Sequence, residues 1–211
     1  MLRTEGLFVL AKKVLRRLHS TPMRVRKHPT LLRYRASYPP LSLPRFEKPK
    51  ATIIIPAHNA YAYTYHCLAS ALAASDATPF EVVVVDDASV DATTESLRSV
   101  VGLLHLINAS NLGFVGSCNR GASMANGDYL VFLNNDTQVQ PGWLEALANV
   151  LDAHPEVGVV GSRLLYPDGR QQEAGAIIFR DGTGWKYGHL ADPGRPEYSY
   201  VRDVDYVSGA A

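Results

Sequence analysis

An α/β fold, a mostly parallel sheet with helices on both faces, is predicted by three observations. Short runs of β-branched and aliphatic residues alternate along the chain with segments of helical periodicity. The apolar runs are nearly continuous, as in Ala51–Ile55 (ATIII) and Glu81–Val85 (EVVVV), which is the pattern of strands buried on both sides. Two of them stop abruptly in polar groups: EVVVV in Asp86 and Asp87, and Tyr129–Leu133 (YLVFL) in Asn134, Asn135 and Asp136. Open α/β folds hold ligands beyond the carboxyl ends of their strands, so acids at two such ends imply a nucleotide and its divalent metal.

The elements follow in order from Ala51. The first strand, Ala51–Ile55, is stopped by Pro56, and Tyr61–Ala74 reads as a helix. Glu81–Val85 is the second strand, and Asp91–Val101 a helix for which Asp91 or Ser89 is the natural cap. Leu103–Ile107 is a third strand, Gly116–Ala125 a helix and Tyr129–Leu133 the fourth strand. Pro141–Ala153 is a helix with proline in its first turn, and Val157–Val160 a short fifth strand. After Gly161 the rhythm changes: a turn at Tyr166–Arg170, a strand at Ala176–Phe179, an irregular region around Gly182, Gly184 and Gly188, and a last strand at Val204–Val207.

Charge divides the chain. Residues 1–50 hold 13 Lys and Arg against 2 acids, a net +11, whereas residues 51–211 hold 8 against 18, a net −10. Within the basic part Leu7, Leu10, Ala11, Val14, Leu15 and Leu18 recur at helical spacing, with Lys12, Lys13, Arg16 and Arg17 largely on the other side. That pattern suits a helix lying on an anionic membrane surface, or equally one docked on the chain or on a partner. Nucleic acid is disfavoured, because residues 9–30 carry no aromatic side chain to stack on bases. Pro39, Pro40, Pro44 and Pro49 mark residues 36–50 as an extended linker, so that residues 1–50 form an appendage and the folded domain begins near Ala51 and runs to Ala211.

Several classes are excluded or disfavoured. The turn after the first strand, Pro56-Ala57-His58-Asn59-Ala60, has no glycine, which argues against a dinucleotide-binding dehydrogenase, and no GxxxxGK[ST] run exists for a P-loop. Two cysteines, Cys67 and Cys118, in no metal spacing fit free thiols in a reducing compartment. No window approaches the roughly 20 apolar residues of a membrane span, and the N-terminus lacks the apolar core of a secretory signal, so a cytoplasmic location is the expectation.

Four ordered blocks, IIIPAHN (53–59), VVVDDASVDAT (83–93), NLGFVGSCNRGASMANGDYLVFLNNDTQVQPGWL (111–144) and PDGRQQEAG (167–175), resemble the family 2 glycosyltransferases of GT-A fold. Within that family they are most similar to the bacterial branch that builds rhamnose-containing and related surface polysaccharides. The resemblance implies transfer of a sugar, with inversion, from a UDP- or dTDP-linked donor to a saccharide or lipid-linked acceptor. It places Pro56, Ala57 and Asn59 around the pyrimidine, with His58 as a stacking ring and Asp87 accepting the N3 hydrogen. Asp86 and Asp87 as simple caps of the next helix are the alternative.

The same resemblance puts Asn111, Gly113, Gly116 and Asn119 against the nucleotide-sugar, where glycines let the backbone come close and a helix starting at Gly116 points its amides at negative charge. A loop needing positive φ is the plainer reason for those glycines, and Arg120 either reaches a phosphate or is solvated. Relatives often carry Asp-x-Asp where this chain has Asn134-Asn135-Asp136, so one carboxylate, Asp136, is expected to hold Mn or Mg together with the diphosphate. The resemblance places the general base in a later block than VSGAA (207–211), and no matching acid occurs upstream, so one expectation is a C-terminally truncated enzyme. A nucleotide-sugar-binding domain without transfer activity of its own is the other reading. On both, the donor sugar is the ligand, peripheral contact with the inner face of the membrane is expected, and nucleic acid is not a partner.

Overall fold

A computed structural model of the chain describes residues 37–75 and 77–210. The amphipathic segment expected at residues 7–18 lies outside the described residues. Strands β1 (Ala51–Ala57), β2 (Phe80–Asp86), β3 (Leu104–Ile107) and β4 (Tyr129–Phe132) form one sheet in the order β3-β2-β1-β4, with every neighbouring pair parallel. The α/β architecture expected from the alternating runs is the one observed. Helices α1 (Tyr61–Ala73), α2 (Thr93–Arg98) and α3 (Gly113–Ala122) are the three crossovers.

The direction of the winding reverses at β1. The chain steps outward from β1 through β2 to β3, then returns to the far side of β1 as β4. Right-handed crossovers of opposite direction put α1 and α2 on one face and α3 on the other. The period of two in the strands follows from this. Ala51, Ile53, Ile55 and Ala57 of β1, with Phe80, Val82 and Val84 of β2, face a core shared with Tyr65 and Leu68 of α1 and Leu97 of α2. Ile54 and Val85 point the other way, against α3, which approaches so closely at Gly121 that an added Cβ would lie 2.4 Å from Ile54 Cγ2. Because both faces are covered, neither strand tolerates a polar alternation. Helix α4 (Trp143–Ala153) returns to the first face, where Leu144 joins the core.

The core also draws on the proline-punctuated segment. Leu41 and Leu43 are buried in it, Leu43 N–H donates to Val101 O at 2.9 Å, and Val101 N–H donates to Leu41 O at 3.0 Å. Tyr65 Oη donates to Pro39 O, and Tyr38 packs edge-on against Tyr61. The segment is extended, and it lies on the domain.

Beyond α4 the backbone forms two small antiparallel ladders. Strand β5 (Leu164–Leu165) pairs with β6 (Gln171–Glu173), and β7 (Ala176–Ile178) with β8 (Gly184–Lys186). The strand expected at Val157–Val160 is absent, since these residues are without a ladder partner and Val159 is 74% exposed. The glycine-rich stretch expected to be irregular instead carries β8, its chain reversed at Gly182 with φ 83°. Of the strand expected at Val204–Val207, a single bridge forms, Tyr206 to Ala176.

Candidate functional site

Where a parallel sheet reverses its winding, the crossovers on either side of the switch run to opposite faces, and ligands are held beyond the carboxyl ends of the strands that meet there. Here those strands are β1 and β4, joined to their last turn by Leu133 N–H donating to Ile54 O at 2.9 Å. The loop after β1 and the turn after β4 stand at that end of the sheet as the two borders of the candidate site, and both are segments the sequence singles out.

The first border is stitched to the loop after β2. Asn59 N–H donates to Ser89 Oγ at 2.7 Å, Ala60 N–H to Asp91 Oδ2 at 2.7 Å, and Val90 N–H to Asn59 Oδ1 at 2.8 Å. These bonds hold Asn59 and Ala60 in the left-handed region, with φ 57° and 53°, a conformation that non-glycine residues adopt only when their surroundings impose it. Pro56 and Ala57 form the end of β1, and Ala57 O accepts from Asp87 N–H at 2.7 Å.

His58 is fixed by the same network. Its Nδ1 lies 2.8 Å from the carbonyl oxygen of Asp87, which can only accept, so Nδ1 carries the proton. Nε2 is then an acceptor, and Asn59 Nδ2 stands 3.0 Å away to donate to it. The Asn59 amide has no choice of orientation, because its oxygen is already engaged by Val90. The imidazole is thereby locked and yet exposed, a flat face offered to solvent.

Strand β2 ends in two buried acids with different tasks. Asp86 accepts Ser89 N–H at 2.9 Å and the Thr94 hydroxyl, closing the turn into α2. Burial raises its pKa and these bonds, with nearby His105, outweigh that, so the carboxyl is held below its ordinary value. His105 Nε2 lies 3.8 Å from Asp86, but burial pushes the imidazole below its usual range, so at neutral pH the contact is not an ion pair.

Asp87, 4% exposed, accepts Asn108 Nδ2 at 2.6 Å and Leu112 N–H at 2.8 Å on one oxygen, and Gly113 N–H at 2.9 Å on the other. Here too burial raises the pKa and the donors more than reverse it, leaving the carboxyl below its ordinary value. The carboxylate is the anion at the N-terminus of α3, which explains why that helix starts at Gly113 and not at Gly116 as expected: its first amides are already occupied. The geometry thus gives Asp87 a scaffold task in addition to the base contact the resemblance implies.

The second border is the Asn134–Asp136 turn, held by a stripe on α1. Thr64 Oγ1 accepts Asn135 Nδ2 at 3.1 Å, Cys67 Sγ donates to Asn134 O at 3.5 Å, and Ser70 Oγ accepts Val139 N–H at 3.0 Å. Burial pushes the Cys67 thiol up to about 12, so it serves as a donor and not as a nucleophile. Asp136 itself is exposed. Among the described residues no group of three or more His, Cys, Asp or Glu could hold a metal ion alone. One exposed carboxylate beside two amides suits a hard cation that takes most of its oxygen ligands from phosphate and water.

The structure therefore joins Pro56, Ala57, His58, Asn59, Asp87, Asn111 and Gly113 into one connected border, with Asn111 Oδ1 accepting Gly113 N–H at 3.0 Å. Asn134, Asn135 and Asp136 form the other. Gly113 has φ 72° and open space around a would-be Cβ, so it is there for its backbone conformation. At Gly116 an added Cβ would sit 2.7 Å from Leu112 Cβ, so the glycine serves a close approach within the helix start. Asn119 is exposed on α3, with no side-chain hydrogen bond into the network among the described residues. Arg120 is neither phosphate-directed nor solvated: it donates to Ile107 O at 2.6 Å and to Asn108 Oδ1. Asn108, which passes that support on to Asp87, was not anticipated. Its signal was its place, directly after β3, where the neighbouring strand β2 carries acids.

Residues 52–201 match the family model described as Glycosyl transferase family 2. The chain is 33% identical over 152 residues to the uncharacterized protein y4gI of Sinorhizobium fredii, covering 69% of this chain and 16% of that one. It is 32% identical over 158 residues to the O-antigen biosynthesis protein RfbC of Myxococcus xanthus, covering 73% of this chain and 12% of that one. The chain thus spans less than a fifth of the length of either relative. Among solved structures, S. aureus TarS 1-349 in complex with UDP is 30% identical, with a TM-score of 0.43, covering 50% of this chain and 33% of that one.

Proposed function

Since the chain belongs to glycosyltransferase family 2, we propose that the crevice between the ends of β1 and β4 binds a UDP- or dTDP-linked sugar for transfer, with inversion, to a saccharide or lipid-linked acceptor. The observation that carries this reading is the pair of borders. One presents a locked, exposed aromatic ring at His58 and the other a lone exposed carboxylate at Asp136, both at the switch point of the sheet.

In this reading the pyrimidine stacks on His58, with Pro56, Ala57 and Asn59 around it and Asp87 behind. Asn111, Gly113, Gly116 and Asn119 line the ribose and sugar side, and Asn134 and Asn135 offer amides to the sugar hydroxyls. Asp136 would hold a manganese or magnesium ion, whose charge, when it is bound, neutralises the diphosphate. The acceptor oxygen forms its bond to the anomeric carbon as the bond to the diphosphate breaks, and the electron pair leaves with the phosphate oxygen. The hydroxyl proton passes to a carboxylate base outside the residues assigned here. The name of the Myxococcus relative, an O-antigen biosynthesis protein, supports a role in bacterial surface polysaccharide synthesis, and a rhamnose-type donor is the branch the motifs resemble. A cytoplasmic, membrane-peripheral site of action fits such acceptors. No helix among the described residues is long and apolar enough to cross a membrane.

Calorimetry with UDP, dTDP and GDP, each with and without Mn2+, tests the binding half. Affinity for the two pyrimidine diphosphates, strengthened by metal, is the expected result, and no binding to any of the three would remove the proposal. Product analysis with UDP- and dTDP-sugars and simple saccharide acceptors then separates transfer from binding alone.

A further inference from the structure

The motif PDGRQQEAG contributes no residue to either border of the crevice, yet it places an acid in the protein interior. Glu173, the last residue of β6, is 1% exposed. One carboxylate oxygen accepts Ser208 N–H at 3.1 Å, and the other lies 3.5 Å from Lys186 Nζ of β8. Ser208 Oγ in turn accepts Ala210 N–H at 3.3 Å, and Ala210 O accepts Asn134 N–H at 3.0 Å. Three successive hydrogen bonds thus run from Glu173 to the first residue of the Asp136 turn.

The segment that carries this relay has little room to move. An added Cβ at Gly175 would lie 2.5 Å from Val204 Cγ1, and one at Gly161 would lie 2.4 Å from Val207 Cβ, so two glycines let the backbones close on it. Between them Asp205 Oδ2 accepts Ile178 N–H at 2.8 Å, and Tyr206 O accepts Ala176 N–H at 3.0 Å. A buried carboxylate costs free energy unless it is hydrogen-bonded and its charge matched, and Ser208 N–H and Lys186 supply both, which ties residues 208–210 to Glu173.

We infer that Glu173 is a positioning residue for Asp136, acting through residues 208–210 on the Asn134 amide. The turn after β4 is then gripped from two sides, by the Thr64, Cys67 and Ser70 stripe of α1 and by the Glu173 relay. Asp136 itself makes neither set of contacts and is left free for its ligand. This inference rests on the proposed function for the identity of that ligand, but not for the relay itself.

Amide hydrogen exchange by NMR on the 211-residue chain, without nucleotide, tests the relay. In Glu173→Ala, protection of the Ser208 and Asn134 amides should fall about tenfold or more while that of Val83–Val85 in the central strand is unchanged. Glu173→Gln keeps an oxygen to accept Ser208 N–H and should restore most of the protection at Asn134. Unchanged Asn134 exchange in Glu173→Ala, or equal loss at Asn134 in the Gln and Ala variants, would overturn the inference. Should Glu173→Ala fail to fold, Gly161→Ala, which pushes Val207 and the relay away, must deprotect Asn134 in the same manner. Calorimetry with UDP adds the functional arm: Glu173→Ala should lose most of the Mn2+ enhancement, keep metal-free affinity within about twofold, and regain the enhancement in Glu173→Gln. If the wild type binds no UDP, the proposed function fails while the exchange experiment still decides the relay.

Discussion

Strand β2 ends in two carboxylates shut away from solvent, whereas strand β4 ends in one that faces it. Asp86 and Asp87 accept hydrogen bonds from Ser89, Thr94, Asn108, Leu112 and Gly113, and both are held below their ordinary pKa against the effect of burial. Around Asp136 the fixed contacts belong to its neighbours: Asn134 through its backbone, Asn135 through its amide, Thr137 through its hydroxyl to Asn134 O. A carboxylate engaged by protein donors at both oxygens organises structure, and one left open can organise a ligand. Of the two acid-tipped strands, β2 carries carboxylates with a scaffold task, and β4 leads to the carboxylate that is open to the proposed ligand.

The comparison breaks most visibly in stability. Asp87→Ala removes an acceptor from Asn108, Leu112 and Gly113; Asn108 keeps Ser117 Oγ and Gly113 keeps Asn111 Oδ1, whereas Leu112 N–H loses its partner, so a loss of about 1–3 kcal/mol is expected in urea denaturation. Asp136→Ala, at an exposed turn, should change stability by less than about 0.5 kcal/mol. Equal losses in the two variants would erase the distinction. In ligand binding the order inverts in kind: Asp136→Ala should abolish the Mn2+ enhancement of UDP or dTDP affinity while leaving the fold intact by circular dichroism. An enhancement that survives would move the metal elsewhere.

Acid provides a gentler contrast. Because the folded pKa values of Asp86 and Asp87 are depressed, the unfolded chain binds more protons as pH falls. The stability they contribute is complete above the ordinary carboxylate value of about 4 and is lost as pH drops through their folded values. Urea midpoints should therefore begin to fall as pH drops below about 4 and keep falling with further acid, less steeply in Asp87→Asn than in the wild type. A slope unchanged by that substitution would argue that other carboxylates dominate. The smallest effect is expected at the support of the open site. Thr64→Val removes the acceptor for Asn135 Nδ2, worth about 1 kcal/mol, and should weaken metal-enhanced UDP affinity a few-fold at most. A metal-free affinity that falls equally would show that Thr64 serves the whole crevice and not the turn.

The parallel sheet, its alternation with helices and the segments that border the crevice were legible in the sequence, because continuous apolar runs and their abrupt polar ends reflect burial on both faces of each strand. Short-range chemistry of this kind is written locally: TIII before Pro56, EVVVV before Asp86, YLVFL before Asn134. The division of labour between the acids was not. Nothing in the letters of Asp87 and Asp136 states which will be enclosed, since that depends on Asn108 arriving from β3 and on α3 setting its first amides against one carboxylate. The role of Arg120 changed for the same reason, its partners lying on β3 and just beyond. Val157–Val160 had the composition of a strand but no partner edge, and strands exist only in pairs. Leu41 and Leu43 sat among prolines that announce an extended chain, and only the position of Val101 decided that the extension lies against the core. Local pattern determines what each segment can be; which polar groups are left free for a ligand is settled by contacts between segments far apart in the chain.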